Sequence, residues 1–131
     1  MKTMCLMARD CVVRQNANGR LCDAESTPAI VDPTVCVESV LAAECLMHDT
    51  HIVDAAMRNV AYLLHDASTT PDGARYHILG DEEVLADSMA KGPHVLMLAG
   101  YRDEAWHTIA PSSGSSGILR RASIPTTRVR K

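Results

Sequence analysis

Two consecutive helical segments in the middle of the chain constrain its fold most strongly. Asp32-Pro33 is a typical helix opening, with aspartate as the N-cap and proline at the first helical position of the segment that continues to residue 48. Asp49-Thr50 then offers a second N-cap before residues 51–67. The apolar residues that recur at helical spacing are Cys36, Val37, Val40, Leu41, Ala43 and Met47 in the first segment, and Ile52, Ala55, Ala56, Val60, Leu63 and Leu64 in the second. Each segment therefore predicts a helix with a wide buried face.

Short apolar runs outside these helices predict β-strands. Residues 94–101 form a continuous apolar run of strand length, and residues 105–110 are its expected antiparallel neighbour across a turn. Residues 76–79 predict a third short strand. The lone tryptophan of the second run, Trp106, is expected to anchor the core.

Turn signals complete the predicted architecture. Asn18-Gly19 is a strong tight-turn signal, which favours an N-terminal strand or hairpin within residues 3–25. Residues 80–92 predict a short third helix, of one turn or three, that ends at Gly92. The expected fold class is α+β: a compact single domain with two central helices and a small, mainly antiparallel sheet.

Length and charge divide the chain into a body and a tail. The 131 residues suffice for one domain, expected over residues 1–111, while SSGSSG opens a flexible Ser/Gly linker and tail over residues 112–131. After Ile118 the tail has five basic residues and no acid, which leaves 8 basic and 16 acidic residues, a charge of −8, for the rest. An acidic body thus ends in a basic tail.

Cysteine usage indicates a reduced compartment. The five cysteines are an odd number with no CxxC pair, and the N-terminus does not resemble a secretory signal. An intracellular location, in the cytoplasm or inside a virion, is therefore expected. Since no apolar window is long enough to span a bilayer, the protein is also expected to be soluble and to have no membrane partner.

The sequence predicts neither a metal nor another cofactor. Cys45, His48 and His51 are spaced in threes. However, Asp49-Thr50 is expected to break the helix between them, and no second pair has a zinc-site spacing.

Two residues could support thiol chemistry. Cys36 is expected in the first turn of a helix, where backbone N–H groups stabilise a thiolate. His94, at the start of an apolar run, could serve as its base. The alternatives are a buried, inert thiol and a structural histidine bonded to the backbone.

The motif around His94 resembles a known family. Gly-x-His, an apolar run, Gly-Tyr and a second run closing at Ala110-Pro111 are similar to papain-like cysteine peptidases, especially the bacteriocin-processing branch, over residues 33–111. The resemblance implies a reduced papain-like fold, with Cys36 as nucleophile and His94 as base.

The same resemblance implies that catalysis has been lost. It places the residue that orients the histidine at Ala110, which cannot accept a hydrogen bond, and the segment before Cys36 lacks the family's glutamine oxyanion donor. Loss of the orienting group alone can cost a factor of about ten thousand in rate. A polar residue such as Asp54, Asp66 or His107 would have to replace it.

The sequence therefore predicts a non-catalytic accessory or assembly protein, such as a viral or phage structural protein. Its acidic body would bind a protein partner or a second copy of the chain, giving a homodimer through an exposed strand edge. Its tail would contact RNA or DNA phosphates through Arg120, Arg121, Arg128, Arg130 and Lys131. For the tail, a solvated terminus is the alternative. For the whole protein, the alternative is a cysteine peptidase or amidase that uses Cys36 and His94.

Overall fold

The computed structural model describes residues 2–21 and 28–109, and in these residues the chain is helical without any strand. The helices are α1 (Lys2–Val13), α2 (Val35–Met47), α3 (Thr50–His65), α4 (Ser88–Leu98) and α5 (Arg102–Ile109). A 3-10 helix, Asp32–Thr34, leads directly into α2. The predicted α+β class, with its small antiparallel sheet and reduced papain-like fold, is therefore wrong for the described residues.

The core lies around α2, which packs against α1, α3 and α4, while α5 packs against α4. Its apolar residues come from every helix and from the segment before the 3-10 helix. They include Ala8, Leu21, Ile30, Val31, Val37, Val40, Ala43, Ile52, Ala55, Ala56, Val60, Leu63, Val95, Leu96 and Ala105. Several of these residues are alanines, and Leu, Ile and Val provide the larger side chains, because the chain has no phenylalanine.

The prediction of two central helices is confirmed. Asp49 caps α3, because its side chain accepts a hydrogen bond of 3.1 Å from the His51 N–H. The helix break expected between Cys45 and His51 is also present, since His48 ends α2 in the left-handed conformation with φ of 51°. Asp32, by contrast, makes no side-chain cap; its carboxylate binds Lys91 instead.

The N-terminal segment forms α1 instead of the predicted strand or hairpin. Met4, Ala8, Cys11 and Val12 lie on the side of α1 that faces the bundle, at the spacing of a helix. The predicted turn at Asn18-Gly19 is present, with Gly19 at φ of 97°, but it connects α1 to the core segment that begins at Arg20.

The apolar run after His94 is also a helix. Residues 94–98 belong to α4, which continues through Gly92 and Pro93. Proline removes one backbone donor and normally disfavours a helix interior, so Gly92-Pro93 was expected to end the helix. Gly92, Val95 and Leu96, at i, i+3 and i+4, are all buried, so they lie on the side of α4 that faces the core.

The other two predicted strands are likewise absent. Residues 102–109 form α5, in which Ala105 and Thr108 face inward. Trp106 points outward and is 65% exposed, so the prediction that it anchors the core is wrong. Of residues 76–79, only Ile78 makes a single antiparallel bridge, with Ala29.

Arg75 holds the long connection between α3 and α4 in place. Its buried guanidinium donates two hydrogen bonds, of 2.8 and 3.0 Å, to the Leu63 carbonyl, and a third to the Thr108 hydroxyl. The Leu63 carbonyl lies in the last turn of α3, where carbonyl groups lack helical donors and favour a cation. Arg75 thereby joins α3, the connection and α5.

Several predictions concern residues outside the described ones. These include Ala110, the boundary between residues 111 and 112, the linker and the five basic residues of the tail. Within the described residues, no helix is both long and apolar enough to cross a membrane.

Candidate functional site

Cys36 lies in the first turn of α2, as predicted, and packs partly buried against the hydrophobic core. The start of α2 is not an open helix N-terminus, because the 3-10 helix precedes it. The Val35 N–H already donates to the carbonyls of Asp32 and Pro33. The donors that would stabilise a thiolate are therefore partly used by the backbone.

His94 lies on the exposed side of α4, next to a carboxylate that the sequence analysis missed. Its Nε2 atom is 3.2 Å from Oε2 of Glu38, which belongs to α2. Glu38 follows Cys36 by two residues, which is a rotation of about 200° around the helix axis. The two side chains thus leave α2 in nearly opposite directions, and the pairing of Cys36 with His94 stays a prediction.

The surroundings of the Glu38–His94 pair are open to solvent. The side chains are 64% and 55% exposed, so water and salt screen their attraction. They lie on a shallow groove between α2 and α4, lined by Val35, Glu38, Ala90, Lys91, His94 and Val95. This open setting lacks the exclusion of water that strengthens electrostatic interactions in an active site.

A second polar cluster lies near the start of α4 and is centred on Lys91. The Lys91 ammonium is 2.5 Å from Oδ1 of Asp32 and 2.7 Å from Oδ2 of Asp87. His77 adds its Nδ1 atom at 3.6 Å from Oδ1 of Asp87 and 3.4 Å from the Ser88 hydroxyl. The cluster joins α4 to the turn before α2 and to the connection after α3.

Mutual stabilisation of opposite charges dominates this cluster. The hydrogen bond from Lys91 lowers the pKa of Asp87 below its ordinary value of 3.8. Hydrogen bonds to Asp32 and then to Asp87 raise the pKa of Lys91 above 10.5. The ammonium is therefore held between the carboxylates of Asp32 and Asp87.

Asp32, His77 and Asp87 also form a set of possible metal ligands, with ligand atoms within 4.8 Å of one another. Lys91 already supplies a cation to both carboxylates, so a metal would have to compete with it. A hydrolytic relay is also disfavoured, because Ser88 and Asp87 approach the same ring nitrogen of His77. A working relay uses one nitrogen for the nucleophile and the other for the acid. We interpret the cluster as structural.

Many large apolar side chains face solvent, and neither polar cluster accounts for their exposure. In the described residues these are Leu6, Met7, Val13, Val35, Leu46, Met57, Leu79, Met97, Leu98, Trp106 and Ile109. Single exposed apolar residues are ordinary, but a row of them along one element indicates an interaction surface.

An exposed face with two of these side chains, Val35 and Leu46, lies along α2, and we call it the outward face of α2. Val35, Ser39, Ala42 and Leu46 follow one another at i, i+4, i+7 and i+11, and all four are exposed. Because α2 is apolar nearly all round, it resembles a helix that is buried on every side. Among residues 2–21 and 28–109, only the side toward α1, α3 and α4 is covered.

Comparison with protein-family models, curated proteins and solved structures finds no match to the chain. The resemblance to papain-like peptidases stays a prediction, and the strand on which it depended is α4. Functional inference therefore depends on the surfaces and side chains described above.

Proposed function

We propose that the protein is a non-catalytic assembly or adaptor module, which binds a protein partner through exposed helix surfaces and nucleic acid through its basic tail. The observation that supports this proposal is the outward face of α2, a solvent-exposed row on a helix whose composition is typical of a buried one. Covering this row would remove apolar surface from water, the main driving force of protein association.

Self-association belongs to the same proposal, although its surface differs from the one expected from sequence. No strand edge exists in the described residues, so two copies would pair through helices. Light scattering over a range of protein concentrations measures the mass in solution. If a homodimer uses the outward face of α2, Ala42→Glu will abolish it, while Met57→Glu on the exposed side of α3 will not.

The proposed role of the tail follows from its charge. Five cations without an acid or aromatic residue suit contacts with phosphates and give no means of reading bases. In a titration with labelled duplex DNA and single-stranded RNA, we expect binding of both, with affinity that falls steeply as salt rises. Deletion of residues 119–131 should abolish it. Retention of binding by the shortened chain would contradict the proposal.

A cysteine peptidase or amidase is the second candidate, because Glu38 supplies the His94 ring with the carboxylate that Ala110 cannot provide. A peptide carrying a thiol-reactive group tests it. Rapid labelling of Cys36 that is lost in both His94→Ala and Glu38→Gln would establish a thiol hydrolase and overturn the non-catalytic proposal. We expect instead that Cys36 reacts no faster than the exposed Cys45.

A further inference from the structure

A second groove lies at the other end of α2, where the helix meets α1. We call it the α1–α2 groove; it has a volume of about 420 Å³ and is lined by Lys2, Cys5, Leu6, Arg9 and Leu46. Leu6 and Leu46, which are 65% and 46% exposed, provide its apolar surface. Leu46 is also the last member of the outward face of α2, so the groove continues that face toward α1.

Two basic side chains flank the apolar surface of this groove. Lys2 and Arg9 lie one turn before and one turn after Leu6, on the same side of α1. Within residues 2–21 and 28–109, neither cation has an ion-pair partner. The two cations therefore flank an apolar surface on a body whose overall charge is negative.

We propose that the α1–α2 groove binds an amphipathic helix of a protein partner, in which acidic residues flank the apolar stripe. This inference rests on the proposed function and names the chemistry of its partner. Grooves between packed helices accept the side-chain ridge of a third helix. Apolar side chains of the partner would cover Leu6 and Leu46, and its carboxylates would pair with Lys2 and Arg9.

Other occupants fit the same surface less well. The chain's own tail is basic, so Lys2 and Arg9 would repel it. A nucleic acid would pair its phosphates with the two cations but would leave Leu6 and Leu46 without an apolar partner. An acidic amphipathic helix is matched to both the charge and the apolar surface of the groove.

Two synthetic peptides test the inference directly. The acidic probe is a helical peptide with leucines at i, i+4, i+7 and i+11 and glutamates on both flanks; the basic probe has lysine in place of every glutamate. In anisotropy titrations with the full chain, we expect the acidic probe to bind at least tenfold more tightly than the basic probe. Its affinity should fall with salt. Equal affinities, or tighter binding of the basic probe, would overturn the inference.

Matched variants locate the binding surface. Leu6→Ser should weaken binding of the acidic probe about tenfold, whereas Met7→Ser, at a residue equally exposed but outside the groove, should leave it unchanged. Arg9→Glu should weaken the acidic probe and strengthen the basic one, and Arg102→Glu on α5 is its control. Equal effects of groove and control variants would place the binding elsewhere and overturn the inference.

The remaining outcomes separate this inference from the proposed function. Self-association that Leu6→Ser abolishes would assign the groove to a second copy of the chain and overturn the choice of partner. Nucleic-acid binding that Arg9→Glu abolishes would assign the groove to phosphates. If the acidic probe fails while the tail still binds nucleic acid and Cys36 stays unreactive, the groove inference fails and the non-catalytic proposal stands.

Discussion

The ammonium of Lys91 lies 2.5 Å from a carboxylate oxygen of Asp32 and so connects α4 to the turn that precedes α2. The same ammonium bonds Asp87, one helical turn earlier in the chain. One side chain of α4, the helix that carries His94, thus links two segments that are far apart in sequence.

Removal of this ammonium should destabilise the fold modestly. Lys91→Met retains most of the side-chain volume but leaves Asp32 and Asp87 facing each other without a cation. Because both carboxylates are partly exposed, we expect the free energy of unfolding to fall by about 1 kcal/mol. Chemical denaturation followed by circular dichroism measures it. Lys2→Met removes a lysine that has no ion-pair partner among the described residues and should have no effect. An equal loss of stability in both variants would contradict this role of Lys91.

The same cluster predicts how stability depends on pH. The lowered pKa of Asp87 means that its contribution is present above the ordinary value of 3.8 and is lost as pH falls through the lower pKa of the folded state. The raised pKa of Lys91 means that its contribution is present below 10.5 and is lost as pH rises through the higher pKa of the folded state.

Unfolding curves of the wild type and Lys91→Met, recorded across this range, should therefore differ most at neutral pH. The difference should shrink below about pH 4 and again above about pH 10.5. A difference that stays constant between neutral and acid conditions would show that the carboxylates do not contribute through their charge.

Gly19 should tolerate no side chain. Its φ is 97°, and an added Cβ atom would lie 2.6 Å from the backbone oxygen of Arg58 in α3. Gly19→Ala should therefore reduce the free energy of unfolding by more than 2 kcal/mol, as an order-of-magnitude estimate for combined strain and overlap. Gly100→Ala is the matched control, because Gly100 has a similar φ of 91° and open space around it. Equal losses would mean that the contact with Arg58 adds nothing to the backbone strain.

Arg75 should be far more important for stability than an exposed arginine. Arg75→Met would leave the buried Leu63 carbonyl and the Thr108 hydroxyl without their donor, at a cost of about 2 kcal/mol. Arg75→Lys retains the positive charge but lacks the planar guanidinium. Its stability should therefore lie between those of Arg75→Met and the wild type. Arg102→Met, at an exposed residue, should change the melting temperature little. If Arg75→Met changed the melting temperature equally little, the result would contradict the role of the buried guanidinium.

The two central helices could be predicted from sequence because local signals and tertiary packing agree there. Apolar residues at helical spacing, the Asp49 cap and the change of direction at His48 all lie within a few residues of one another. The side of α2 that faces the core was also predictable, since Val37, Val40 and Ala43 form its buried stripe.

The last two helices could be predicted only in part, because local signals there point away from the structure. The helix predicted to end at Gly92 overlaps only the first residues of α4. A short apolar run such as residues 94–101 suits a buried strand as well as a helix, and Gly92-Pro93 is a typical helix end. Packing against α5 and α2 decides in favour of the helix. Once the strand is a helix, the alignment of His94 with a peptidase motif no longer has its structural context.

The polar sites depend on contacts between distant segments. The spacing of Asp87 and Lys91 by four residues permits an ion pair if both belong to one helical turn, and the helix predicted to end at Gly92 contains both residues. Asp32 and His77 come together in the Lys91 cluster only because the whole chain folds. Glu38 was overlooked as a partner of His94 because 56 residues separate them.

The exposed position of Trp106 has a practical consequence for spectroscopy. It is the only indole in the chain, and in the folded protein it is already largely surrounded by water. Denaturation will change its emission little, so fluorescence would under-report the loss of the hydrophobic core. The same property makes the indole a sensitive intrinsic probe for any molecule that covers α5.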